Sequence, residues 1–327
     1  MKLLTGTPGG DPMHGYSSLT RHAGHSPSAT SKAPILDLMI VVTGSTGRVG
    51  GLVAQRLAQE GHLMRLLVRD PHRAPRLQGV EVEVADYGNP EALAKGLRNG
   101  DRVFMVSLWI GGETRLDLHR SFIEAAAKAD VAQLVYLSFI NAGPTAIFSH
   151  AQEHGATEKM LSASGVPWTS IRNSMYADDI PGWFDPDGVA REPGDDARMS
   201  FSYRPELADV IVVALTEPGH EGRIYNITTP ESVSMRELAQ IASDVTGDAY
   251  RYEPISDGEW IQRWKAQGRP DWALEAGQTS YEALRAGEFD LVSDDYGRVT
   301  GRRAATIARV ITDIADEMPL ASTRSSL

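Results

Sequence analysis

Short apolar runs alternate with amphipathic segments along most of the chain. Residues 39–42 form the first run, which is rich in β-branched side chains, and Leu52, Val53 and Leu57 then recur at helical spacing. Strands that alternate with helices form a parallel, doubly wound sheet, so we predict an α/β fold. Right-handed crossovers would bring the carboxyl ends of all the strands to one edge of this sheet. Further strand-like runs lie at residues 63–68, 80–85, 103–106, 134–137 and 168–171, and the longest helical pattern lies at residues 114–129.

The regular alternation ends near residue 180. Residues 181–204 are rich in Gly, Pro and Asp, whereas residues 257–288 have a helical pattern with three tryptophans. These tryptophans either pack a small lobe or line a pocket. A helix at residues 205–215 and a strand at residues 224–227 are expected to return to the main sheet.

A glycine-rich turn follows the first strand. Gly44, Gly47 and Gly50 are spaced G-x-x-G-x-x-G and precede the first predicted helix. Glycine allows backbone to approach phosphates closely, and the free N–H groups and dipole of a helix N-terminus attract a diphosphate. The strand before and the helix after favour a dinucleotide site of the Rossmann type over a loop of coincidental glycines. The candidate cofactor-binding residues of the turn are Gly44, Ser45, Thr46, Gly47, Arg48, Val49 and Gly50.

Two positions bear on which dinucleotide is bound. Arg69 ends the second strand, where an acidic residue typically binds the ribose 2′-hydroxyl of NAD and an arginine accommodates the 2′-phosphate of NADP. We therefore predict NADP(H), with NAD(H) as the alternative because Asp70 is the next residue. Asp86 follows the third strand and is placed for the adenine side, although an aspartate there also forms turns.

Composition and charge exclude several classes of function. The 327 residues have a net charge of -11 and contain no cysteine. An acidic chain is not suited to nucleic acid or to an anionic membrane surface, and without cysteine there is no disulfide, thiolate zinc site or cysteine nucleophile. No apolar run approaches the roughly 20 residues of a membrane helix. We expect a soluble, cytoplasmic protein with a small-molecule partner. A homodimer and a regulatory protein partner are compatible with the sequence.

The first 33 residues are rich in Gly, Ser, Thr, His and Pro. Such a segment cannot bury enough apolar surface to offset the entropy of ordering, so we predict a disordered leader, with Met39 as a natural start. The predicted organisation is a leader of residues 1–38, an NAD(P)-binding core of residues 39–180 and a substrate lobe of residues 181–327 whose late elements return to the core.

The Tyr-x-x-x-Lys pair that short-chain reductases use for proton transfer is absent from the sequence. In its expected place, His150, His154 and Glu158 share one face of a predicted helix. A histidine donates a proton near neutral pH, so His154 is a candidate catalytic residue, against a purely positional histidine. The same stretch reads H-x-x-E-H, a zinc pattern. No third ligand is evident, so we predict no metal.

Several stretches together resemble the NmrA-like, atypical short-chain dehydrogenase/reductase family, and most closely its quinone oxidoreductase 2 branch. The chain departs from that family after Asn173, where Ser174, Met175 and Tyr176 replace Gly-Trp-Tyr. Trp109 is a candidate substitute for the lost aromatic wall. The matching stretches are residues 43–47, 68–71, 85–87, 153–154, 157–161, 164–165, 171–173, 292–295 and 300–302.

The resemblance implies NADPH along the glycine turn, with Arg69 near the 2′-phosphate. It also implies that Ser107 and Ser138 border the ribose and nicotinamide, and that Asn173 and Tyr176 border the substrate. The implied reaction is hydride transfer to a quinone-like or other conjugated acceptor. Two alternatives stay open: a non-catalytic NADP(H) sensor that acts through a protein partner, and an isomerase or epimerase that keeps its cofactor bound.

Overall fold

A computed structural model describes residues 38–319, and the predicted leader lies outside the described residues except for its last position. The central feature is a seven-stranded sheet in which every pairing is parallel. Its strands are β1 (Ile40–Thr43), β2 (Met64–Val68), β3 (Val80–Val84), β4 (Arg102–Met105), β5 (Gln133–Phe139), β6 (Trp168–Asn173) and β11 (Arg223–Ile227), in the spatial order β11-β6-β5-β4-β1-β2-β3.

The predicted α/β fold with a doubly wound parallel sheet is confirmed, and strand ends shift by only one or two residues. Helices cover both faces of the sheet, so strands such as β1 and β5 are buried along their whole length. One face carries α1 (Arg48–Gln59), α5 (Arg204–Thr216) and α9 (Asp295–Thr300). The other carries α2 (Pro90–Gly96), α3 (Glu113–Lys128) and α4 (Ser149–Ala163).

A smaller, mostly helical region follows β6, as predicted. It has its own apolar core, which Phe139 and Phe148 join to the carboxyl edge of the sheet. α5 and β11 pack back onto the sheet. The remaining helices are α6 (Met235–Thr246), α7 (Asp257–Ala266), α8 (Asp271–Arg285) and α10 (Ile307–Asp313), and the short strands are β7 (Met175–Tyr176), β8 (Val189–Ala190), β9 (Arg198–Met199), β10 (Phe201–Ser202), β12 (Val233–Ser234) and β13 (Arg251–Tyr252).

The predicted helical stretch at residues 257–288 is two helices. Gly268, with a φ of +70°, and Pro270 lie between α7 and α8. A left-handed glycine ends a helix, and proline favours the start of the next one, so the chain turns there. None of the helices in residues 38–319 combines the length and apolar character needed to cross a membrane.

Candidate active site

The glycine turn lies between β1 and α1 and is closed by backbone. Gly44 has a φ of +64°, and the Gly47 N–H donates to the Gly44 carbonyl at 2.9 Å. A Cβ at Gly50 would lie 2.3 Å from the Gly44 oxygen, so α1 packs directly on the turn. Gly47 caps α1 without a side-chain hydrogen bond. The first N–H groups of α1 therefore stay free to bind an anion.

Ser45 supports the assignment of this turn to a phosphate-bearing group. Its side chain is buried, and its hydroxyl has no hydrogen-bond partner within the described chain. Buried hydroxyls are almost always bonded, so an unpaired one beside free amides fits a turn shaped for a ligand. Thr46 and Arg48 are exposed at the same turn, whereas Val49 is buried.

A cavity of about 790 Å³ extends from the glycine turn over the carboxyl edge of the sheet and into the helical region. Several aromatic rings line its wall, among them Trp109, Phe139 and Tyr281, and such a wall suits planar conjugated molecules. Of the predicted site residues, it is lined by Gly44, Gly47, Arg48, Val49, Gly50, Ser107, His154, Asn173 and Tyr176, whereas Ser45, Thr46, Arg69, Asp86 and Ser138 lie outside its wall.

Arg69 and Asp86 lie at the ends of β2 and β3, and both are exposed. Asp70 accepts a hydrogen bond from the His72 N–H at 3.0 Å and so caps the short 3₁₀ turn Pro71–Arg73. The Asp70 carboxylate is therefore bonded within its own turn. Asp86 accepts the Gly88 N–H at 2.9 Å, as a turn-forming aspartate does.

Ser107 and Ser138 differ in which way they face. Ser107 lines the cavity and accepts a hydrogen bond from Arg115. Leu137 and Phe139 also line the cavity, but Ser138, between them on β5, points to the opposite face. There its hydroxyl donates to Glu158 at 2.8 Å.

His154 is buried in the cavity wall and bonded at both ring nitrogens. Nε2 accepts from Arg115 at 2.8 Å, and Nδ1 lies 2.8 Å from the Tyr136 hydroxyl. Burial and the Arg115 cation hold the pKa of His154 well below its usual range. These bonds fit a neutral ring that carries its proton on Nδ1, so His154 has no proton to donate from Nε2.

Arg115 is the residue that the sequence reasoning missed. Only 2% of it is exposed, and its guanidinium bonds Glu153 at 2.5 Å in addition to Ser107 and His154. The signal in the sequence that could have identified Arg115 is its position on the inward face of an amphipathic helix, because buried arginines normally have partners. Glu153, the acidic residue of the H-x-x-E-H pattern, is thus paired with Arg115. No cluster of three or more metal-ligating side chains is found in residues 38–319.

Glu158, which takes the position of the family lysine, is buried away from the cavity. Its carboxylate accepts from Ser138, from Ser170 at 2.6 Å, and from Arg172 at 2.5 Å. A buried carboxylate with this many donors is compensated within the fold. Glu158 therefore anchors α4 to β5 and β6.

Asn173 and Tyr176 follow β6 and line the cavity together. The Asn173 amide donates to the Ser174 carbonyl at 2.7 Å, and the Arg204 guanidinium lies 3.8 Å from the centre of the Tyr176 ring. Burial raises the pKa of Tyr176 to about 12, so its hydroxyl stays protonated. Arg48 and Arg204 both pair with Asp178 and Asp179, which links the glycine turn to the segment after β7.

Trp109 stands on the open side of the cavity, where it is 71% exposed. Its indole stacks on His150 with ring centres 5.3 Å apart and meets the edge of Trp272 at 5.5 Å. Met175, which replaces the family tryptophan, also lines the cavity. Trp109 thus adds an aromatic surface to the cavity wall.

Residues 44–218 match a family model described as NAD(P)H-binding. A (4-alkanoyl-5-oxo-2,5-dihydrofuran-3-yl)methyl phosphate reductase of Streptomyces griseus subsp. griseus is 36% identical and covers 81% of this chain and 94% of its own length. An NmrA-like family domain-containing oxidoreductase of Aspergillus flavus is 27% identical and covers 80% of this chain and 90% of its own.

Among solved structures, the NADPH-dependent quinone oxidoreductase QOR2 of Escherichia coli, in complex with NADPH, superposes with a TM-score of 0.77. It is 27% identical, over 85% of this chain and 100% of its own. The similarity therefore extends over the sheet and the helical region that together form the cavity.

Proposed function

Because this chain belongs to the NAD(P)H-binding family, we propose that it transfers a hydride from NADPH to a quinone-like or other conjugated small acceptor. Membership confirms the predicted NAD(P)H cofactor and the resemblance to NmrA-like oxidoreductases. The relatives are named as reductases and oxidoreductases, so the chain is an NAD(P)H-dependent oxidoreductase.

One observation carries the proposal: the glycine turn and the aromatic wall belong to a single cavity. When bound, NADPH supplies the hydride from its nicotinamide ring. The free N–H groups of α1 would hold the phosphates, and Arg69 would hold the 2′-phosphate. A planar acceptor would then stack in the same cavity, and hydride transfer depends mainly on such alignment.

Asn173, Tyr176 and Ser107 are proposed to orient the reacting rings. Asn173 lies at the end of β6 and lines the cavity, and the Tyr176 ring lies under Arg204. His154 enters the proposal as a neutral residue that positions Arg115 and Tyr136. The proton that a quinone also needs would then come from water.

Steady-state NADPH oxidation with a panel of quinones tests this function. We expect turnover with at least one quinone, and Asn173→Ala should lower kcat by about tenfold or more while the affinity for NADPH is kept, because only the alignment of the acceptor is lost. Asn99→Ala is the matched control, since Asn99 is exposed and bonds Asp130 away from the cavity.

Two results would contradict the proposal. The first is unchanged kinetics in Asn173→Ala with every acceptor that turns over. The second is the absence of turnover with any acceptor, together with tight and unequal binding of NADP+ and NADPH. That second pattern is the behaviour of a redox sensor that acts through a protein partner.

A further inference from the structure

One carboxyl group of the cavity wall has no part in the hydride transfer described so far. Glu192 lies in the loop after β8 and lines the cavity, and Tyr281 on α8 lines it as well. Both residues are partly exposed. The Glu192 carbonyl accepts a hydrogen bond from the Tyr252 hydroxyl at 2.8 Å, so the backbone that carries the carboxyl is held in place.

The two oxygens of the Glu192 carboxyl have different surroundings. One accepts a hydrogen bond from the Tyr281 hydroxyl. The other accepts no hydrogen bond within residues 38–319 and is not fully buried. The Trp260 indole N–H lies near the carboxyl but does not meet the geometry of a hydrogen bond. The second oxygen is therefore available to a molecule in the cavity.

Within residues 38–319, no Arg, Lys or His side chain forms an ion pair with Glu192. Arg191, the preceding residue, pairs with Asp185. Arg263 on α7 pairs with Glu259 at 2.6 Å. The carboxyl thus lies in the wall without a cation that would hold it ionised.

Burial raises the pKa of the Glu192 carboxyl above its ordinary value. The Tyr281 hydroxyl, the Trp260 indole and the Arg263 charge oppose this effect without cancelling it. Tyr252 and Tyr281, the titratable groups that face Glu192 from β13 and α8, have raised pKa values themselves and stay protonated. Glu192 therefore keeps its proton to a higher pH than an exposed glutamate.

The other titratable groups of the cavity wall are poor proton donors. His154 is neutral and bonded at both ring nitrogens. His150 is neutral as well, because burial and the Arg115 cation lower its pKa to about 4. Asp179 is paired with two arginines, and Tyr176, with a pKa raised to about 12, holds its proton tightly.

We propose that Glu192 donates the proton that the reduced acceptor needs, and that Tyr281 positions its carboxyl. A quinone that accepts a hydride becomes a hydroquinone monoanion. As the negative charge develops, the acceptor oxygen forms an O–H bond while the O–H bond of Glu192 breaks, and the electron pair of that bond stays on the carboxylate. The Tyr281 hydroxyl stabilises this carboxylate, which then regains a proton from water.

This inference rests on the proposed hydride transfer, and the pH dependence of NADPH oxidation by a quinone that turns over tests it. We expect kcat to fall as the pH rises, because the donor must be protonated. Glu192→Gln keeps an acceptor for the Tyr281 hydroxyl but has no acidic proton. Its kcat should be about 100-fold lower at low pH and should no longer fall with pH, while the affinity for NADPH is kept. Glu282→Gln, at an exposed position on α8, is the matched control and should leave the profile unchanged.

Tyr281→Phe distinguishes a positioning role from a purely structural one. The Tyr281 hydroxyl lowers the pKa of the Glu192 carboxyl, so its removal should move the fall of kcat to higher pH. A residue that only packs the wall would leave the midpoint of the profile where it is.

Infrared spectroscopy gives a readout that needs neither NADPH nor turnover. At a pH where exposed glutamates are ionised, the unaltered chain should show a carboxylic acid C=O band that Glu192→Gln lacks. In Tyr281→Phe this band should persist to higher pH.

Turnover with the same pH profile and kcat in Glu192→Gln, or the lack of a carboxylic acid band assignable to Glu192, would overturn the donor and leave hydride transfer standing. Absence of turnover with every acceptor would overturn both, because a donor has no role without reduction. If Glu192→Gln fails to fold, as judged by its melting curve, Tyr281→Phe decides, and an unshifted profile there overturns the assignment.

Discussion

At the scale of single residues, Arg115 organises the polar side of the cavity. Its buried charge is balanced by Glu153, and it also bonds Ser107 and His154. An unpaired guanidinium in this position would cost several kcal/mol, so these partners are required for folding as well as for the geometry of the wall. Burial and this charge together lower the pKa of His154 and keep it neutral, which makes the histidine a structural part of the wall.

Glu206 on α5 is expected to make stability fall as the pH rises. Burial raises the pKa of its carboxyl from 4.5 to about 7, against the opposing effects of the Ala305 N–H and of Arg302. The folded chain then binds this proton more tightly than the unfolded chain. The stabilisation is therefore complete below the unfolded pKa and is lost as the pH rises towards about 7.

Glu206→Gln keeps an acceptor for the Ala305 N–H but cannot ionise. At pH 8, measured by thermal melting, it should be more stable than the unaltered chain by on the order of 1–3 kcal/mol, and the difference should shrink towards zero in acid. The control is Glu217→Gln, which changes an exposed carboxylate at the end of the same helix. A constant difference at all pH values would refute the assignment.

At the scale of elements, the junction of β1 and α1 depends on direct backbone contact. Gly44 takes a left-handed conformation, and Gly50 leaves no room for a side chain against the Gly44 carbonyl. The Thr43 hydroxyl accepts the Val106 N–H at 2.9 Å and contacts Tyr87 at 2.8 Å, which ties the turn to β4. The position of the free amides is thus set by several strands together.

Gly50→Ala is predicted to separate α1 from the turn and to weaken NADPH binding by about tenfold or more, because the clash is with backbone. Gly51→Ala is the matched control. Its Cβ would lie 3.3 Å from the Ser45 carbonyl, so a shift of a few tenths of an ångström accommodates it. Isothermal titration with NADPH compares the two variants, and equal affinities would show that the contact does not position the amides.

At the scale of the whole molecule, the cavity is built by two regions of the fold. The sheet edge supplies the glycine turn together with Trp109 and Phe139, whereas the helical region supplies Trp260, Tyr281 and Arg269. A ligand that fills the cavity contacts both regions at once. Binding should therefore stabilise the described fold as a unit, because a ligand that binds only the folded state shifts the unfolding equilibrium.

NADPH at about 100 times its Kd should stabilise the chain by about 2.7 kcal/mol, visible as a rise in Tm. NADH at the same concentration should raise Tm less, since it lacks the 2′-phosphate that Arg69 is proposed to bind. Arg69→Ala should remove the difference between the cofactors, and Arg120→Ala, on the exposed face of α3, should keep it. Identical shifts for both cofactors with the unaltered chain would rule out the preference.

The sequence by itself determined the fold class, the order of the elements and the glycine turn. Apolar periodicity and glycine spacing act over a few residues, so they can be read without knowing what packs against them. Residues 63–68 and 134–137, for example, form strands within two residues of the predicted ends. The NAD(P)H cofactor followed from the same local pattern.

The tertiary structure decided which side chains face the cavity and how they are charged. Ser138 faces away from the cavity because its neighbours on β5, Leu137 and Phe139, face the cavity. Alternation along a strand shows that adjacent side chains lie on opposite faces of the sheet, but it does not show which face borders the cavity. Burial and the Arg115 cation lower the pKa of His154, and Arg115 and Tyr136 bond its two ring nitrogens. These partners are distant in sequence, and only packing brings them within the few ångströms over which charge and hydrogen bonding act.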